Sequence, residues 1–287
     1  MRAAVIALAL AASIATAVPA TAVTMDDGND GRGGGKIEVT GLTSDNRLVE
    51  FRENRPGKVT SIGAVTGLTV DTELVGIDYR VQNGLLYGVG DQGGIYTLDP
   101  DTAVATKVHQ LTVALSGTEF GVDFNPAANR LRIISDTGQN LRHNIDDPSA
   151  PLTTVVDVPL NHASPVGPAL GVTAAAYTNN DGDATTGTTL FVIDTLNDQV
   201  AIQSPANAGT LVPTGSLGVD AGLPASFDIH YSAKNGINSG YASLQVGGVS
   251  AFYHVNLLNG EVTPKGDFPV GDQVLDIAVP LNQNSKS

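Results

Sequence analysis

Residues 120–126, FGVDFNP, are the clearest copy of a unit that recurs along the chain. The anchor of the unit is Asp123, which lies between an apolar and an aromatic residue and is followed by a polar turn. A second clear copy is GIDY at 76–79, and weaker copies are AAAY at 174–177, SFDI at 226–229 and VLDI at 274–277. The anchor positions 78, 123, 176, 228 and 276 are 45, 53, 52 and 48 residues apart. This spacing predicts a fold built from repeats of about 50 residues.

Each unit continues with three more strand-like segments. In the second unit these are the apolar and aromatic residues 85–87, residues 95–98 after a polar turn, and the β-branched residues 104–111. Alternation with period two, β-branched residues and Gly, Asn and Asp turns are typical of strands. Four strands in a repeat of about 45–50 residues predict a β-propeller.

The two ends of the chain predict how the ring closes. Residues 37–66 contain the last three strands of a unit without the first, and residues 274–279 supply a first strand with nothing after it. We therefore predict an all-β fold, a five-bladed propeller closed by pairing of the N- and C-terminal strands, which removes exposed sheet edges. Six blades are the alternative, but the sequence contains no further unit. An open pair of β-sandwiches would leave the split unit unexplained.

The charge balance narrows the choice of partners. The 287 residues include 29 Asp and Glu against 15 Lys and Arg, a formal net charge of −14. Nucleic acids and anionic membrane surfaces would be repelled, and no basic cluster offsets this. The chain has no cysteine, which excludes disulfides, thiol catalysis and Cys-ligated metals. We expect a monomer, without a nucleic-acid partner, held together by core burial and strand pairing.

The first residues have the pattern of a secretory signal peptide. Met1-Arg2 is positive, residues 3–17 are small and apolar, and Ala20-Thr21-Ala22 fits a cleavage motif. The apolar run is short for a membrane span. We predict a signal peptide at 1–22 cleaved near Ala22, a flexible leader at 23–36, one propeller domain at 37–281 and a tail at 282–287. The mature protein is expected to be secreted to the extracellular space, without a membrane span.

Four segments carry a resemblance to a known family. They are residues 42–48 (LTSDNRL), 75–80 (VGIDYR), 120–126 and 134–142 (ISDTGQNLR). The chain resembles the bacterial family of secreted proteins known as domain of unknown function 4394, over nearly all of residues 41–281. The resemblance implies a propeller-like secreted domain and carries over no catalytic residue.

Four of the five anchors are aspartates: Asp78, Asp123, Asp228 and Asp276. The first strand of each blade lines the channel of a propeller, so these carboxylates are expected to form a ring. Because a residue repeated in most blades serves what every blade needs, a hydrogen bond to backbone N–H groups between blades is the favoured role. A Ca²⁺ site or acid–base chemistry is the alternative. The ring is incomplete, because Ala176 occupies the fifth anchor.

The third unit differs most from its sisters and supplies the candidate ligand-binding residues. Glu119 precedes its first strand, Arg132 replaces an aromatic residue of the second strand, and a polar turn follows. We expect Glu119, Asp136, Gln139 and Asn140 to gather on one face near the channel mouth, with Arg132 or Arg142 beside them. Such a cluster suits a polar ligand held bidentately, and a hydrogen-bonded turn with an Asp–Arg pair is the alternative.

Two other patterns are weaker. Residues 179–183 (NNDGD) look like part of a Ca²⁺ loop but lack its terminal Glu, which favours a solvated turn. The five histidines show no zinc-binding spacing.

The predicted function is a binding or interaction module for an unknown small polar molecule or extracellular partner. A hydrolase of glycans or esters that uses the channel carboxylates, and a Ca²⁺-stabilised structural propeller, are the alternatives. No residue is assigned as catalytic, so the sequence does not decide whether the protein is an enzyme. We expect no cofactor, and a bound Ca²⁺ is the alternative.

Overall fold

The computed structural model describes residues 24–25, 37–281 and 283. The predicted signal peptide, and nearly all of the predicted leader and tail, lie outside the described residues. Helical structure in the described part is limited to one 3₁₀ turn, Ala206–Ala208. Within that part of the chain, no helix has both the length and the apolar character that crossing a membrane requires.

The described strands form five sheets, which are the blades of a propeller. The strands of blade 1, from the channel outward, are β23 (Val274–Ala278), β2 (Glu38–Thr43), β3 (Arg47–Arg52) and β4 (Arg55–Ala64). Those of blade 2 are β5 (Leu74–Tyr79), β6 (Leu86–Gly90), β7 (Gly94–Leu98) and β8 (Ala105–Gln110). Those of blade 3 are β9 (Phe120–Asn125), β10 (Arg130–Ser135), β11 (Asn140–His143) and β12 (Thr154–Val156).

Blades 4 and 5 each carry an addition to the basic unit. Blade 4 consists of β15 (Val172–Tyr177), β16 (Leu190–Asp194), β17 (Gln199–Gln203) and β18 (Thr210–Ser216), extended by β13 (Asn161–Ala163) and β14 (Val166–Pro168). Blade 5 consists of β19 (Ala221–Ser232), β20 (Ile237–Val246), β21 (Val249–Val255) and β22 (Val262–Asp267). The short β1 (Thr24–Met25) pairs in parallel with β20.

The ring closes in blade 1, where the two ends of the chain meet. β23 runs antiparallel to β2, with Thr40 opposite Ala278 and Leu42 opposite Asp276. The split terminal unit of the sequence is thus one composite blade. The predictions of an all-β fold, five blades and closure between N- and C-terminal strands are confirmed, and the six-bladed alternative is wrong.

Hydrophobic packing between blades holds the ring together. The described residues form five buried apolar clusters, one between each pair of neighbouring blades. Between blades 2 and 3, for example, the rings of Tyr87 and Phe124 pack edge to face with centroids 5.1 Å apart. This packing follows from the strand pattern, because alternate side chains face the blades on either side.

The inner strands of blades 3 and 4 approach closely. A Cβ added at Gly121 in β9 would lie 2.6 Å from the backbone nitrogen of Ala175 in β15. Glycine is therefore required at this position, and the alanines of β15 keep the facing surface small.

Candidate functional site

The four anchor aspartates lie on the innermost strands, around the channel. Asp78, Asp123, Asp228 and Asp276 belong to β5, β9, β19 and β23, and each is only 5–7% exposed. Ala176 on β15 takes the corresponding position in blade 4. The repeat therefore places a buried carboxylate at the centre of four of the five blades.

Each of these carboxylates accepts a hydrogen bond from a backbone N–H of the next blade. The donors are Ile77 N to Asp276 (2.7 Å), Phe124 N to Asp78 (2.7 Å), Val279 N to Asp228 (2.6 Å) and Tyr177 N to Asp123. A buried N–H without an acceptor costs about 1–3 kcal/mol. The arrangement therefore supports a structural role for the ring, as the link between neighbouring inner strands.

Blade 4 is linked to blade 5 by an asparagine instead. Asn180 donates from Nδ2 to the carbonyl of Ile229 (3.2 Å) and accepts at Oδ1 from Tyr231 N (2.9 Å). In the sequence, Asn180 belongs to a turn that looks like part of a Ca²⁺ loop. Its bridging role has no local signal, because the partner strand lies about 50 residues further along the chain.

Three members of the ring converge. Asp78, Asp123 and Asp228 each offer a carboxylate oxygen within 4.8 Å of the others. Burial raises the pKa of Asp78 and Asp123 well above its usual range, and the neighbouring carboxylates raise it further. Burial also raises the pKa of Asp228 to about 6. Each of the three carboxyl groups therefore holds its proton more tightly than a free aspartate does.

Glu119, Asp136 and Gln139 lie together at the end of the ring where the inner strands begin. Asp136 accepts hydrogen bonds from Thr118 N (2.9 Å) and Thr118 Oγ1 (3.0 Å), and Gln139 accepts one from Ser116 N (3.0 Å). These contacts hold the segment before β9 against the turn between β10 and β11. Many of the hydrogen-bonding groups of the turn therefore already have partners within the protein.

A small cavity of about 70 Å³ lies at this channel mouth. Glu73, Glu119 and the turn residue Ser44 are part of its lining. Glu119 is half-buried, and burial followed by the charge of Asp136 raises its pKa. Two glutamates make the channel mouth acidic, so it suits an anionic ligand poorly.

Arg132, Asn140 and Arg142 lie apart from the channel mouth, between blades 3 and 4. Arg132 Nη1 donates to Asn140 Oδ1 and to Asp157 Oδ2, both at 2.7 Å. Arg142 Nε donates to both oxygens of Asp157, at 3.0 and 2.9 Å. The structure thus divides the six predicted residues into two groups. Asn140 does not join Gln139, because successive residues of a strand point to opposite faces.

Arg132 reaches from blade 3 across to blade 4. Its Nε donates to the hydroxyl of Tyr177 (3.3 Å) and its Nη2 donates to Asn207 Oδ1 (2.7 Å). The residue is only 3% exposed, and four side chains share its donors. Arg132 is therefore the centre of a buried polar network that joins two blades.

A cleft of about 240 Å³ opens beside this network, and we call it the arginine cleft. Its polar lining residues are Arg130, Arg132, Arg142, Asn125, Asn207 and Tyr177. Its apolar lining residues are Ala128, Pro205 and Ala206. The cleft combines charged groups on blade 3 with the turn after β17 of blade 4.

The arginine cleft has an excess of positive charge. Asp157 pairs with both Arg132 and Arg142, and Arg130 pairs with Asp147 at 2.7 Å. Three guanidinium groups thus face two carboxylates, which leaves one formal positive charge. In a chain of net charge −14, this local excess marks a place where a polar or anionic molecule is favoured.

Four residues of this region are absent from the sequence prediction: Arg130, Asp157, Tyr177 and Asn207. Arg130 follows an ordinary turn and Asp157 follows the short strand β12. Tyr177 occupies an aromatic position that packing within the repeat already explains. Asn207 lies 75 residues from its partner Arg132. Five aspartates outnumber three arginines within residues 119–158, so the local excess of positive charge has no signal in the sequence.

The two arginines on Asp157 should differ in their contribution to stability. Arg132→Gln should lower the free energy of unfolding by about 3 kcal/mol, because it removes one partner of a buried ion pair. Arg142 is one-third exposed, so Arg142→Gln should cost at most about 1 kcal/mol. Urea unfolding of both variants measures the difference, and equal losses would contradict the buried network.

Several solved structures similar to this chain come from bacteria. An auxiliary nutrient-binding protein from Bacteroides ovatus is 13% identical with a TM-score of 0.44, over 78% of this chain and 58% of that protein. A counterpart from Bacteroides thetaiotaomicron is 14% identical with a TM-score of 0.41, over 79% and 58%. A Lactobacillus plantarum protein is 15% identical with a TM-score of 0.43, over 81% and 82%.

This chain therefore spans less than two thirds of the length of the two nutrient-binding proteins. With TM-scores below 0.5, these proteins say nothing about which residues of this chain bind a ligand. Among curated proteins, none matches the chain.

The family described as domain of unknown function DUF4394 matches residues 47–278. That range includes all four aspartates of the ring, both glutamates of the channel mouth and the arginine cleft. It covers most of the chain and confirms the resemblance seen in the sequence. The chain therefore belongs to the DUF4394 family.

Proposed function

We propose that this protein is a secreted binding module that holds a small polar molecule in the arginine cleft. The observation that carries this proposal is the cleft of about 240 Å³ lined by three guanidinium groups, whose ion-pair partners are only two carboxylates, Asp147 and Asp157. Ligand sites are generally concave, with a few polar groups placed among apolar ones. Secretion is supported by the signal-peptide pattern of residues 1–22.

The channel carboxylates support a hydrolase less well. Glycosidases hold two carboxylates on either side of a bound sugar ring, where both groups reach the substrate. Asp78, Asp123 and Asp228 are 5–7% exposed, and each accepts a backbone hydrogen bond from the next blade. Because these carboxylates are buried and already hydrogen-bonded to the backbone, ligand binding at another site is favoured over catalysis in the channel.

A Ca²⁺-stabilised propeller is the second candidate. One observation favours it, namely that three buried carboxylates converge within 4.8 Å. Ca²⁺ takes 6–8 oxygen ligands, so the aspartates would provide part of its coordination and other oxygen atoms the rest. This candidate concerns stability, and it is compatible with a ligand in the arginine cleft.

Filling the cleft with a bulky side chain tests where the ligand binds. Ala128 is exposed and lines the cleft, so Ala128→Trp should block it without changing any charge. Ala114 is also exposed but belongs to the segment beside the channel mouth, which makes Ala114→Trp the matched control. Calorimetry on the full chain would use a panel of neutral sugars, amino acids, small organic acids and sugar phosphates.

We expect at least one compound to bind the wild type and the Ala114→Trp variant, and to lose binding in Ala128→Trp. Binding that survives in Ala128→Trp but is lost in Ala114→Trp would move the site to the channel mouth. A panel in which no compound binds the wild type would overturn the proposed function.

A further inference from the structure

The arginine cleft has no free hydrogen-bond acceptor among its polar side chains in the described part of the chain. Asn125 Oδ1 accepts from Ala128 N (2.9 Å). Asn207 Oδ1 and the Tyr177 oxygen accept from Arg132, at 2.7 and 3.3 Å. Both oxygens of Asp157 accept from arginines as described above. The acceptors of the lining side chains are therefore already engaged.

The backbone carbonyls of the lining residues are engaged as well. The Ala206 oxygen accepts from Asn140 Nδ2 (3.0 Å) and from Gln203 Nε2 (2.6 Å). The Ala128 oxygen accepts from Arg130 Nη1 (3.2 Å), and the Pro205 oxygen accepts from a backbone N–H within the 3₁₀ turn. A ligand that needs acceptors finds few of them here.

Several donors of the cleft remain unused. Within residues 37–281, no group accepts a hydrogen bond from Nη1 or Nη2 of Arg142, or from Nδ2 of Asn125 or Asn207. The same holds for the hydroxyl hydrogen of Tyr177, a side chain that is only 4% exposed. Arg142 donates to Asp157 through Nε alone. The two terminal nitrogens, Nη1 and Nη2, are therefore left as a pair of adjacent donors at the end of the guanidinium group, which we call the Arg142 fork.

We infer that the ligand of the arginine cleft is a small oxyanion, with a carboxylate or phosphate group held by the Arg142 fork. The inference rests on the proposed function and names its ligand class. A planar guanidinium edge matches two oxygens of a carboxylate or phosphate, and such bidentate bonds are among the strongest in proteins. A neutral molecule with hydroxyl groups would satisfy these donors only in part, because each hydroxyl also needs an acceptor.

The size and lining of the cleft limit the ligand. A volume of about 240 Å³ equals roughly eight water molecules. The apolar atoms of Ala128, Pro205 and Ala206 give a carbon skeleton a surface to pack against. A three-carbon acid or phosphate ester fits these limits. The net charge of −14 opposes binding only weakly, because salt screens distant charges within about 10 Å.

Three probes with one carbon skeleton test the ligand class on the full chain. Glycerol carries hydroxyl groups alone, glycerate adds a carboxylate, and glycerol 3-phosphate adds a phosphate. We expect glycerate or glycerol 3-phosphate to bind at least about tenfold more tightly than glycerol in calorimetry, which corresponds to one charge-assisted bond pair. Whichever of the two acids binds more tightly identifies the anionic group.

Substitution of Arg142 tests the fork itself. Arg142→Gln should weaken binding of the better acid by about tenfold or more, and Arg142→Lys, which keeps the charge without the fork, should restore only part of it. Arg55 is exposed on blade 1, and Arg55→Gln is the control that should bind as the wild type does. Melting temperatures confirm that each variant is folded.

Two results would overturn the inference. One is glycerol binding as tightly as both acids, and the other is Arg142→Gln binding the better acid as the wild type does. If either occurs while Ala128→Trp still removes binding, the cleft is a ligand site for another class of molecule. If instead Ala128→Trp leaves binding intact, the proposed function fails first.

Discussion

A chain shortened to residues 1–272 should lose cooperative folding altogether. The truncation removes β23, and with it Val274, Ile277 and Val279, which are only 0–2% exposed. It also removes Asp276, which accepts the hydrogen bond of Ile77 N, and leaves β2 without its inner partner. Three buried side chains at about 1.5–3 kcal/mol each approach the whole stability of a typical domain.

Circular dichroism during heating, with size-exclusion chromatography, measures this effect. The matched control is a chain that ends at Gln283, which keeps β23 and the hydrogen bonds between Gln283 and Glu38. The control should unfold as the full chain does, whereas the shorter chain should show no cooperative transition. A chain of residues 1–272 with an unchanged melting temperature would contradict closure of the ring by β23.

Raising the pH should weaken the propeller through its aspartate ring. The pKa of Asp228 rises from an ordinary 3.8 to about 6 in the folded protein because the carboxyl group is buried. The folded state therefore holds the proton more tightly than the unfolded state does. The resulting stabilisation is complete below pH 3.8 and is lost as the pH rises through about 6, and its size is about 3 kcal/mol.

Two buried histidines act in the opposite direction. Burial lowers the pKa of His143 and of His230 from 6.5 to about 4. A lowered histidine pKa stabilises the protein above pH 6.5, and this contribution is lost as the pH falls toward 4. The pH profile of the wild type therefore combines both effects. The wild type and the variants of Asp228 all keep both histidines. Comparing them therefore separates the contribution of Asp228 to the pH dependence of stability from that of the histidines.

Asp228→Asn is the variant that isolates the charge. It keeps one oxygen that can accept from Val279 N (2.6 Å) and carries no negative charge at any pH, but its NH2 replaces the oxygen that accepts from Ile229 N (2.6 Å). The lost acceptor should cost stability equally at both pH values, whereas the loss of stability between pH 5 and pH 8 should be smaller than in the wild type. Asp228→Ala should be about 1–3 kcal/mol less stable than Asp228→Asn, because a buried N–H loses its acceptor. Urea unfolding at the two pH values measures both differences.

A bound cation would give the opposite pH dependence of the stability difference between Asp228→Asn and the wild type. If three carboxylates hold Ca²⁺, the stability lost in Asp228→Asn should be larger at pH 8 than at pH 5, and EDTA should lower the melting temperature of the wild type. In that case a metal ion, and not protonation of the aspartates, would compensate the buried negative charges. This result would favour the Ca²⁺-stabilised propeller.

Local sequence patterns were sufficient to predict the architecture. The anchor unit around Asp123 repeats because every blade needs an inner strand that contacts the inner strands of its neighbours. The split unit at residues 37–66 and 274–279 predicted the composite blade for the same reason. The hairpin of β13 and β14 was not predicted, because it is an insertion in a single blade and repeats nowhere else.

The candidate site was predictable only in part. Arg132 and Arg142 stood out because they replace smaller or apolar residues of the repeat. The sequence placed Asn140 with Gln139, since it is the next residue, but the strand turns their side chains to opposite faces. Asp157 and Asn207 meet Arg132 only after two blades pack together, and sequence separation hides such contacts.

A crystal structure of the full chain with glycerol 3-phosphate tests the central claim most directly, since that claim is the location of the site. We expect ligand oxygens about 3 Å from the terminal nitrogens of Arg142, with the carbon skeleton against Pro205 and Ala206. Ligand bound at the channel mouth beside Glu73 and Glu119, with the arginine cleft empty, would contradict it.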